Sequence, residues 1–213
     1  PTHFRAVASD FGIKRNILRL LVEHGCEVTV VPATTSAAEA LSYDPDGIFL
    51  SNGPGDPAAV EYAIETVRAL LGTRPVFGIC LGLQTAVTEL ARHVCGLEES
   101  HSSEFPEGSS DPVMCLLDSQ LQVTTKGGTM RLGAYSCALQ EGTRAREVYD
   151  AEQVSERHRH RFEVNNKYRE LLTQNGMTLS GLSPDGGLVE MIELSDHPWF
   201  IAAQFHPELK SRP

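Results

Sequence analysis

Residues 75–84 read Pro-Val-Phe-Gly-Ile-Cys-Leu-Gly-Leu-Gln, the most informative stretch of the chain. Its apolar first half suits a strand, and a helical pattern runs on from Gln84 to His93. A strand that turns into a helix at one residue, here Cys80, presents that side chain at the strand's carboxyl end, beside a helix N-terminus. A thiol in such a position can lose its proton well below its usual pKa of about 8.5. The stretch therefore predicts a nucleophilic cysteine at a sharp turn.

The N-terminal half of the chain alternates apolar runs with helical patterns. The predicted strands cover residues 4–9, 27–31, 47–51 and 75–79, and the predicted helices cover residues 14–24, 36–41, 58–71 and 81–94. Strands that are apolar throughout, rather than alternating, are typical of a parallel sheet covered on both faces. We therefore expect an α/β fold, an open and mostly parallel twisted sheet with helices on both faces. Ligands of such sheets bind at the carboxyl ends of the strands.

The pattern changes after about residue 95. Residues 98–111 are polar and predict a mobile loop, and the charge run at 156–161 (Glu-Arg-His-Arg-His-Arg) reads as a solvated loop. A helix is predicted at residues 166–174, and strands, some of them short and antiparallel, at residues 113–117, 130–132, 138–139, 178–182, 187–194 and 199–204. We expect one domain, residues 1–213, with a small antiparallel extension to the sheet.

Composition narrows the classes of function. The chain has 213 residues and a net charge of −10, which argues against a nucleic-acid-binding surface. No apolar run approaches the roughly 18 residues of a membrane span, and no signal peptide is apparent. No zinc-type spacing is present, so we expect no metal site. An odd number of cysteines predicts free thiols and a cytoplasmic protein; they are Cys26, Cys80, Cys95, Cys115 and Cys137.

His206 and Glu208 follow the last predicted strand and are separated by one proline. A lone histidine near a chain end is more often a surface or core residue, and a lone cysteine is more often a small core residue. Here, however, the strand before His206 ends at the same predicted sheet edge as the strand before Cys80. A cysteine, a histidine and a carboxylate at one edge can form a catalytic triad.

Residues 51–57 (Ser-Asn-Gly-Pro-Gly-Asp-Pro) follow the third predicted strand. These residue types form turns, so a plain surface turn is one interpretation. The other is an exposed backbone N–H at Gly53, where no Cβ blocks a substrate. With the N–H of Leu81, it would make an oxyanion hole, in which each donor contributes on the order of 10²–10³ in rate.

The motifs at residues 77–84 and 206–208 resemble those of the class I (triad) glutamine amidotransferases. The resemblance covers nearly all of the chain but is divided. Residues 7–82 resemble the glutaminase part of the carbamoyl-phosphate synthetase small subunit, through motifs at residues 10–16 and 47–57. Residues 80–213 resemble the glutaminase domain of CTP synthase, through motifs at residues 103–105, 127–133, 156–165, 183–186, 197–200 and 204–213. The change of resemblance indicates a fused or recombined chain.

This resemblance implies a flavodoxin-like glutaminase architecture and a Cys-His-Glu triad. In that triad Cys80 attacks the glutamine amide, His206 is the base and Glu208 orients the base. No metal or organic cofactor is implied.

The resemblance also implies which residues bind glutamine. Gly55 contacts it, and Gln84 lies in the same site. Glu104 and Arg161 hold the α-amino and α-carboxylate ends, which matches the need of a zwitterion for one carboxylate and one guanidinium. Phe162 stands where the family often has tyrosine.

The implied function is hydrolysis of L-glutamine, with ammonia supplied to a synthetase domain or subunit that is missing from this chain. Three alternatives remain open. One is a cysteine-dependent hydrolase or chaperone of related sheet architecture, the second a catalytically idle binding or regulatory module, and the third an engineered chimera. The chain also begins without methionine, so we expect it to be cut from a longer protein.

Overall fold

A computed structural model of the chain describes residues 3–53, 61–102, 111–116 and 131–210. The elements of the first half are β1 (Phe4–Asp10), α1 (Arg15–Glu23), β2 (Cys26–Pro32), α2 (Ala37–Ser42), β3 (Gly47–Leu50), α3 (Glu61–Leu70), β4 (Val76–Ile79) and α4 (Leu81–His93). Those that follow are β5 (Ser100–Ser102), β6 (Asp111–Leu116), β7 (Arg131–Leu139), α5 (Arg144–Tyr149), β8 (Gln153–His160), β9 (Phe162–Val164), α6 (Arg169–Gln174), β10 (Met177–Leu182), β11 (Val189–Leu194) and β12 (Phe200–Ala203). Short 3₁₀-helices cover Asn166–Tyr168 and Pro207–Leu209.

The large sheet has nine strands in the order β2-β1-β3-β4-β12-β11-β10-β7-β8. The five strands from β2 to β12 run parallel to their neighbours, and the remaining strands pair antiparallel. A second sheet of three strands has the order β5-β6-β9. This topology confirms the predicted α/β fold. The antiparallel part of the large sheet consists of its last four strands, and the three-stranded sheet is separate from it.

Apolar side chains are buried on both faces of the parallel strands. In β3, Ile48 and Leu50 join the core beneath α2, α3 and α4, whereas Phe49 points to the other face and packs near Ile17 of α1. The strand β12 shows the same alternation. Ala202 lies on the face of Ile48 and Leu50, and the residues before and after it lie on the opposite face, where they pack with α5. Because both faces are covered, these strands lack polar positions, which explains why their sequences read as continuous apolar runs.

Two sequence predictions for the second half are wrong. The charge run at 156–161 is mostly β-strand, because β8 extends to His160. Its side chains alternate, with Glu156, His158 and His160 buried and the intervening arginines exposed. The two short strands predicted at residues 130–132 and 138–139 are parts of one long strand, β7, although residue 130 lies outside the described residues.

The polar stretch at 98–111 also differs from the prediction of a loop, because β5 forms within it and β6 begins at Asp111. The helix α5 and the strand β9 were not predicted at all. These elements are short, and each is stabilised by pairing or packing with residues far away in the chain. The spacing of apolar residues within such short segments is therefore a poor predictor of these elements.

Candidate active site

Cys80 lies at the turn between β4 and α4 in a conformation that is uncommon for a residue with a side chain, with φ 54° and ψ −101°. Two glycines allow the turn to pack tightly. A Cβ added to Gly82 would lie 2.6 Å from the carbonyl oxygen of Leu50, and one added to Gly78 would lie 3.1 Å from Cβ of Ala202. The sequence pattern of this elbow thus has a steric cause, since no other residue type would let α4 approach β3 so closely.

His206 and Glu208 lie just beyond the end of β12, with Nδ1 of the imidazole 2.9 Å from Oε1 of the carboxylate. Both side chains are buried, at 3% and 2% exposure. The same Oε1 accepts a hydrogen bond of 2.9 Å from Nζ of Lys14, in the loop after β1. Nε2 of His206 has no hydrogen-bond partner among the described residues. The carboxylate can therefore hold the ring with its proton on Nδ1, which leaves Nε2 as a free acceptor.

Backbone pairing brings the cysteine and the histidine to one edge of the sheet. Ile79 is paired with Ala203 in the parallel ladder between β4 and β12. The N–H of Cys80 donates to the carbonyl oxygen of Ala203 at 2.7 Å, three residues before His206. Within the described residues, Sγ accepts a side-chain hydrogen bond from Nε2 of Gln204 at 4.0 Å, and no hydrogen bond joins Sγ to His206.

The thiol of Cys80 contradicts the expectation of a lowered pKa. Burial raises its pKa to about 12, because the side chain has little water around it to solvate a thiolate. The N–H of Leu81 and the charge of Lys14 act in the opposite direction but do not overcome burial. The thiol is therefore neutral in this state, and its reaction requires a base.

Glu208 stays ionised although it is buried. Burial alone would raise its pKa, but hydrogen bonds and charges from His206 and Lys14 outweigh burial and hold the pKa below its usual value. Lys14 therefore acts on two members of the candidate triad. Sequence reasoning missed this residue, and the available signal was its position just beyond the carboxyl end of β1, at the same sheet edge.

Gly53, a candidate oxyanion-hole residue, lies against the elbow. A Cβ added to it would lie 2.2 Å from the carbonyl oxygen of Phe11 and 2.9 Å from Cδ2 of Leu81. The hydroxyl of Ser51 accepts a hydrogen bond of 3.0 Å from the N–H of Phe11, which fixes the loop before Gly53. Gly55, predicted to contact the substrate, lies outside the described residues, as does Glu104.

The other candidate glutamine-binding residues lie next to one another. Gln84 is buried in the first turn of α4, and its Nε2 donates to the carbonyl oxygen of Phe162 at 3.5 Å. Arg161 occupies the single position between β8 and β9 and is partly exposed. It forms no hydrogen bond or ion pair with the other residues that the structure describes. The structure thus brings together Arg161, Phe162 and Gln84.

A buried polar cluster that sequence reasoning also missed lies behind these residues. Arg131 of β7 donates to Glu190 at 2.6 Å and to Glu163 at 3.3 Å. His158 and His160 extend the cluster along β8.

The described residues contain no group of three or more His, Cys, Asp or Glu arranged to hold a metal ion. The helices in this part of the chain lack the length and hydrophobicity that a membrane-spanning segment needs.

The fold and the cysteine elbow define a class of protein, and comparison with known families agrees. The model of class-I glutamine amidotransferases matches residues 7–213. This chain therefore belongs to the class-I glutamine amidotransferase family.

Its relatives include CTP synthases, as the resemblance of the C-terminal part predicted. The CTP synthase of Moorella thermoacetica is 55% identical over 170 residues, which cover 80% of this chain and 32% of that protein. The CTP synthase of Geobacillus kaustophilus is 54% identical over 174 residues, covering 81% of this chain and 33% of that protein. The chain thus spans about a third of the length of these curated relatives.

Solved structures confirm the fold. The glutaminase domain of Trypanosoma brucei CTPS, solved with bound acivicin, gives a TM-score of 0.81 at 28% identity, covering 99% of this chain and 88% of that one. A GMP synthase-type protein from Thermoplasma acidophilum gives a TM-score of 0.70 at 18% identity, covering 99% of this chain and 87% of that one. The second likeness concerns the fold alone.

Proposed function

We propose that residues 1–213 form one glutaminase domain that hydrolyses the side-chain amide of L-glutamine to glutamate and ammonia. One observation carries the proposal. The Cys80 elbow is hydrogen-bonded to Ala203 at the end of β12, and His206 and Glu208, whose side chains are hydrogen-bonded to each other, follow directly. Membership of the class-I glutamine amidotransferase family supports the same chemistry.

In the proposed mechanism, Nε2 of His206 takes the proton of Cys80 as the sulfur attacks the carboxamide carbon of glutamine. The new C–S bond turns the carbonyl oxygen into an oxyanion, which the N–H groups of Gly53 and Leu81 stabilise. The C–N bond then breaks, and His206 returns its proton to the leaving ammonia. Water attacks the γ-glutamyl thioester, releases glutamate and restores the thiol.

The buried state of the thiol fits a proton transfer that occurs together with the attack. Burial raises the pKa of Cys80 to about 12, so a free thiolate is rare at neutral pH. Glu208 has its pKa lowered and remains a carboxylate, so it can stabilise the imidazolium that forms on His206. Lys14 limits this stabilisation, because it shares Oε1 of Glu208.

We further propose that the ammonia passes to a synthetase domain or subunit outside residues 1–213. The relatives named CTP synthase favour an acceptor of that type over the carbamoyl-phosphate synthetase type, which the N-terminal motifs resemble. In this proposal L-glutamine is the substrate, and nucleic acid and membrane are not partners. The cytoplasmic location stays a prediction.

A second candidate is a binding or regulatory module that holds glutamine without turnover. Two features favour it, the raised pKa of Cys80 and the absence, within the described residues, of a hydrogen bond from its sulfur to His206. In this case a partner would have to complete the site.

The test is incubation of the chain with glutamine and measurement of glutamate release. Cys80→Ala and His206→Ala should each abolish release, whereas Cys26→Ala, at a partly buried thiol in β2, should keep it. Full activity in Cys80→Ala would disprove the mechanism. Glutamine binding without turnover would favour the regulatory module.

A glutamine-analogue electrophile should label Cys80 in mass spectrometry, and binding of acivicin would match the Trypanosoma brucei domain.

A further inference from the structure

Two histidines of β8 form a buried pair behind the proposed glutamine site. Nδ1 of His158 lies 2.8 Å from Nε2 of His160, and Nδ1 of His160 lies 3.1 Å from the carbonyl oxygen of Phe162. The side chains are 0% and 2% exposed. The ring of His158 also packs edge-on against Phe205, the residue before His206, with centroids 5.7 Å apart. The pair therefore contacts the strand ends that carry the candidate base and the candidate substrate-binding residues.

The hydrogen bonds assign the positions of the protons. A carbonyl oxygen can only accept, so His160 must carry its proton on Nδ1. In the neutral ring Nε2 of His160 is then an acceptor, so His158 must donate to it from Nδ1. The direction of the pair is thus fixed, from His158 through His160 to the carbonyl of Phe162.

The surroundings keep both rings neutral. Burial, followed by the charge of Arg131, lowers the pKa of His158 to about 2 and that of His160 to about 3. Arg131 itself is held by Glu190 and Glu163, which also flank the histidines, with 3.6 Å between Nε2 of His158 and Oε2 of Glu190. With its proton on Nδ1, neutral His158 cannot donate from Nε2 to that carboxylate, and neither atom has a hydrogen-bond partner among the described residues. The pair therefore donates in one direction only, towards Phe162.

The carbonyl of Phe162 connects this donor to two proposed substrate contacts. It accepts from His160 and also from Nε2 of Gln84 at 3.5 Å. With its NH₂ group turned to that carbonyl, Gln84 has no hydrogen bond on Oε1 from the residues that the structure describes, and this oxygen can accept from an N–H of the substrate. Phe162, the residue that carries this carbonyl, is the next residue after Arg161, so a fixed Phe162 also limits the backbone from which the guanidinium extends.

We propose that His158 and His160 are positioning residues for glutamine, holding the Phe162 carbonyl so that Gln84 presents an acceptor and Arg161 meets the α-carboxylate. This inference rests on the proposed function, because it assigns a role within the same site. Neither histidine touches the substrate. Loss of the donor should therefore weaken glutamine binding and leave the reactivity of the thiol unchanged.

Two polar replacements of His160 distinguish the effect of its hydrogen bond to Phe162 from the effect of its packing. Asparagine places its amide where Nδ1 stands, so His160→Asn keeps a donor to Phe162. Glutamine places its amide where Nε2 stands, so His160→Gln loses that donor but keeps size and polarity. Calorimetry of glutamine binding in the Cys80→Ala chain should show a Kd at least tenfold higher for His160→Gln and within threefold for His160→Asn.

Turnover and alkylation provide the readouts that a purely structural role would not produce. With Cys80 present, His160→Gln should raise KM at least tenfold while kcat and the rate of alkylation by iodoacetamide stay within threefold. Equal Kd values for the two variants would overturn the positioning role. If His160→Gln fails to fold, His158→Asn and His158→Gln repeat the comparison one step earlier, and equal binding there overturns the role as well.

Failure of the proposed function would look different. A wild-type chain that binds glutamine without turnover would refute hydrolysis and leave the positioning role to be judged by Kd alone. Absence of binding to the Cys80→Ala parent and to the wild-type chain would overturn both proposals. Turnover with equal Kd values for the matched pair would overturn the positioning role only.

Discussion

Lys14 places a positive charge beside a carboxylate that already pairs with a histidine. Its Nζ lies 2.9 Å from Oε1 of Glu208 and 3.4 Å from Nδ1 of His206. The lysine side chain is 31% exposed and the glutamate 2%, so a buried carboxylate is stabilised by a cation that can still reach water. The charge also lowers the pKa of Cys80 against the effect of burial. Lys14 therefore favours the anionic forms of both acidic groups in the site.

Replacement of Lys14 tests this electrostatic role. Lys14→Met removes the charge but keeps an unbranched stem, so the pKa of Cys80 should rise and its thiolate should become rarer. We expect the rate of Cys80 alkylation by iodoacetamide at pH 8 to fall about threefold to tenfold, since one pKa unit corresponds to a factor of ten. Lys14→Arg keeps the charge and should stay within twofold. Equal rates in Lys14→Met and the wild type would contradict the role.

At the scale of elements, the site depends on how closely the β3 loop approaches α4 and the β1 loop. Gly53 stands where an added Cβ would lie 2.2 Å from a backbone oxygen of Phe11 and 2.9 Å from Leu81. A backbone oxygen cannot rotate away as a flexible side chain can. The loop would have to move as a unit, and the proposed oxyanion donor would move with it.

Gly53→Ala should therefore cost stability as well as activity. Overpacking of this kind costs about 1–3 kcal/mol in the free energy of unfolding, measured with urea. Gly47→Ala, at the start of β3, the strand that precedes this loop, is the matched control, because its added Cβ would meet nothing closer than 3.6 Å. We expect Gly47→Ala to change the free energy by less than about 1 kcal/mol. Equal stability of the two variants would refute the steric account of the loop.

The sequence predicts those elements in which the residues of the segment itself indicate that it is buried. β3 and β4 are buried on both faces, so every position is apolar, and the elbow is marked by glycines that its tight turn requires. β8 buries glutamate and histidine instead, because Arg131 of β7 and Glu190 of β11 provide partners for them. Such partners come from distant strands, so a short window of sequence contains no sign of them. The contact of Lys14 with Glu208 was missed for the same reason, since 194 positions separate the two residues.

At the scale of the whole molecule, buried ionisable groups make stability depend on pH. Burial raises the pKa of Glu163 to about 8 and that of Glu89 to about 7, whereas burial lowers the pKa of His158 to about 2 and of His160 to about 3. Between about pH 4.5 and 6.5 unfolding releases protons from the glutamates and binds protons at the histidines, so the two effects oppose each other. Above about pH 6.5 the unfolded histidines are neutral, so of these four groups only the two glutamates still change stability with pH.

Loss of the Glu163 proton should therefore lower the free energy of unfolding as the pH rises from 6.5 to 8.5. Its folded pKa lies above its unfolded value, so the stability it contributes is fully present below about pH 4.3 and is lost up to the folded pKa near 8. Glu163→Gln resembles the protonated acid and can still accept from Arg131, but it has no proton to lose. Its free energy of unfolding in urea should fall by about 1–2 kcal/mol less than that of the wild type across this range. Glu152→Gln, at a side chain 85% exposed, should follow the wild type. Parallel curves for Glu163→Gln and the wild type would show that Arg131 keeps both of its carboxylates ionised, because only a carboxyl that is protonated in the fold can cause this loss.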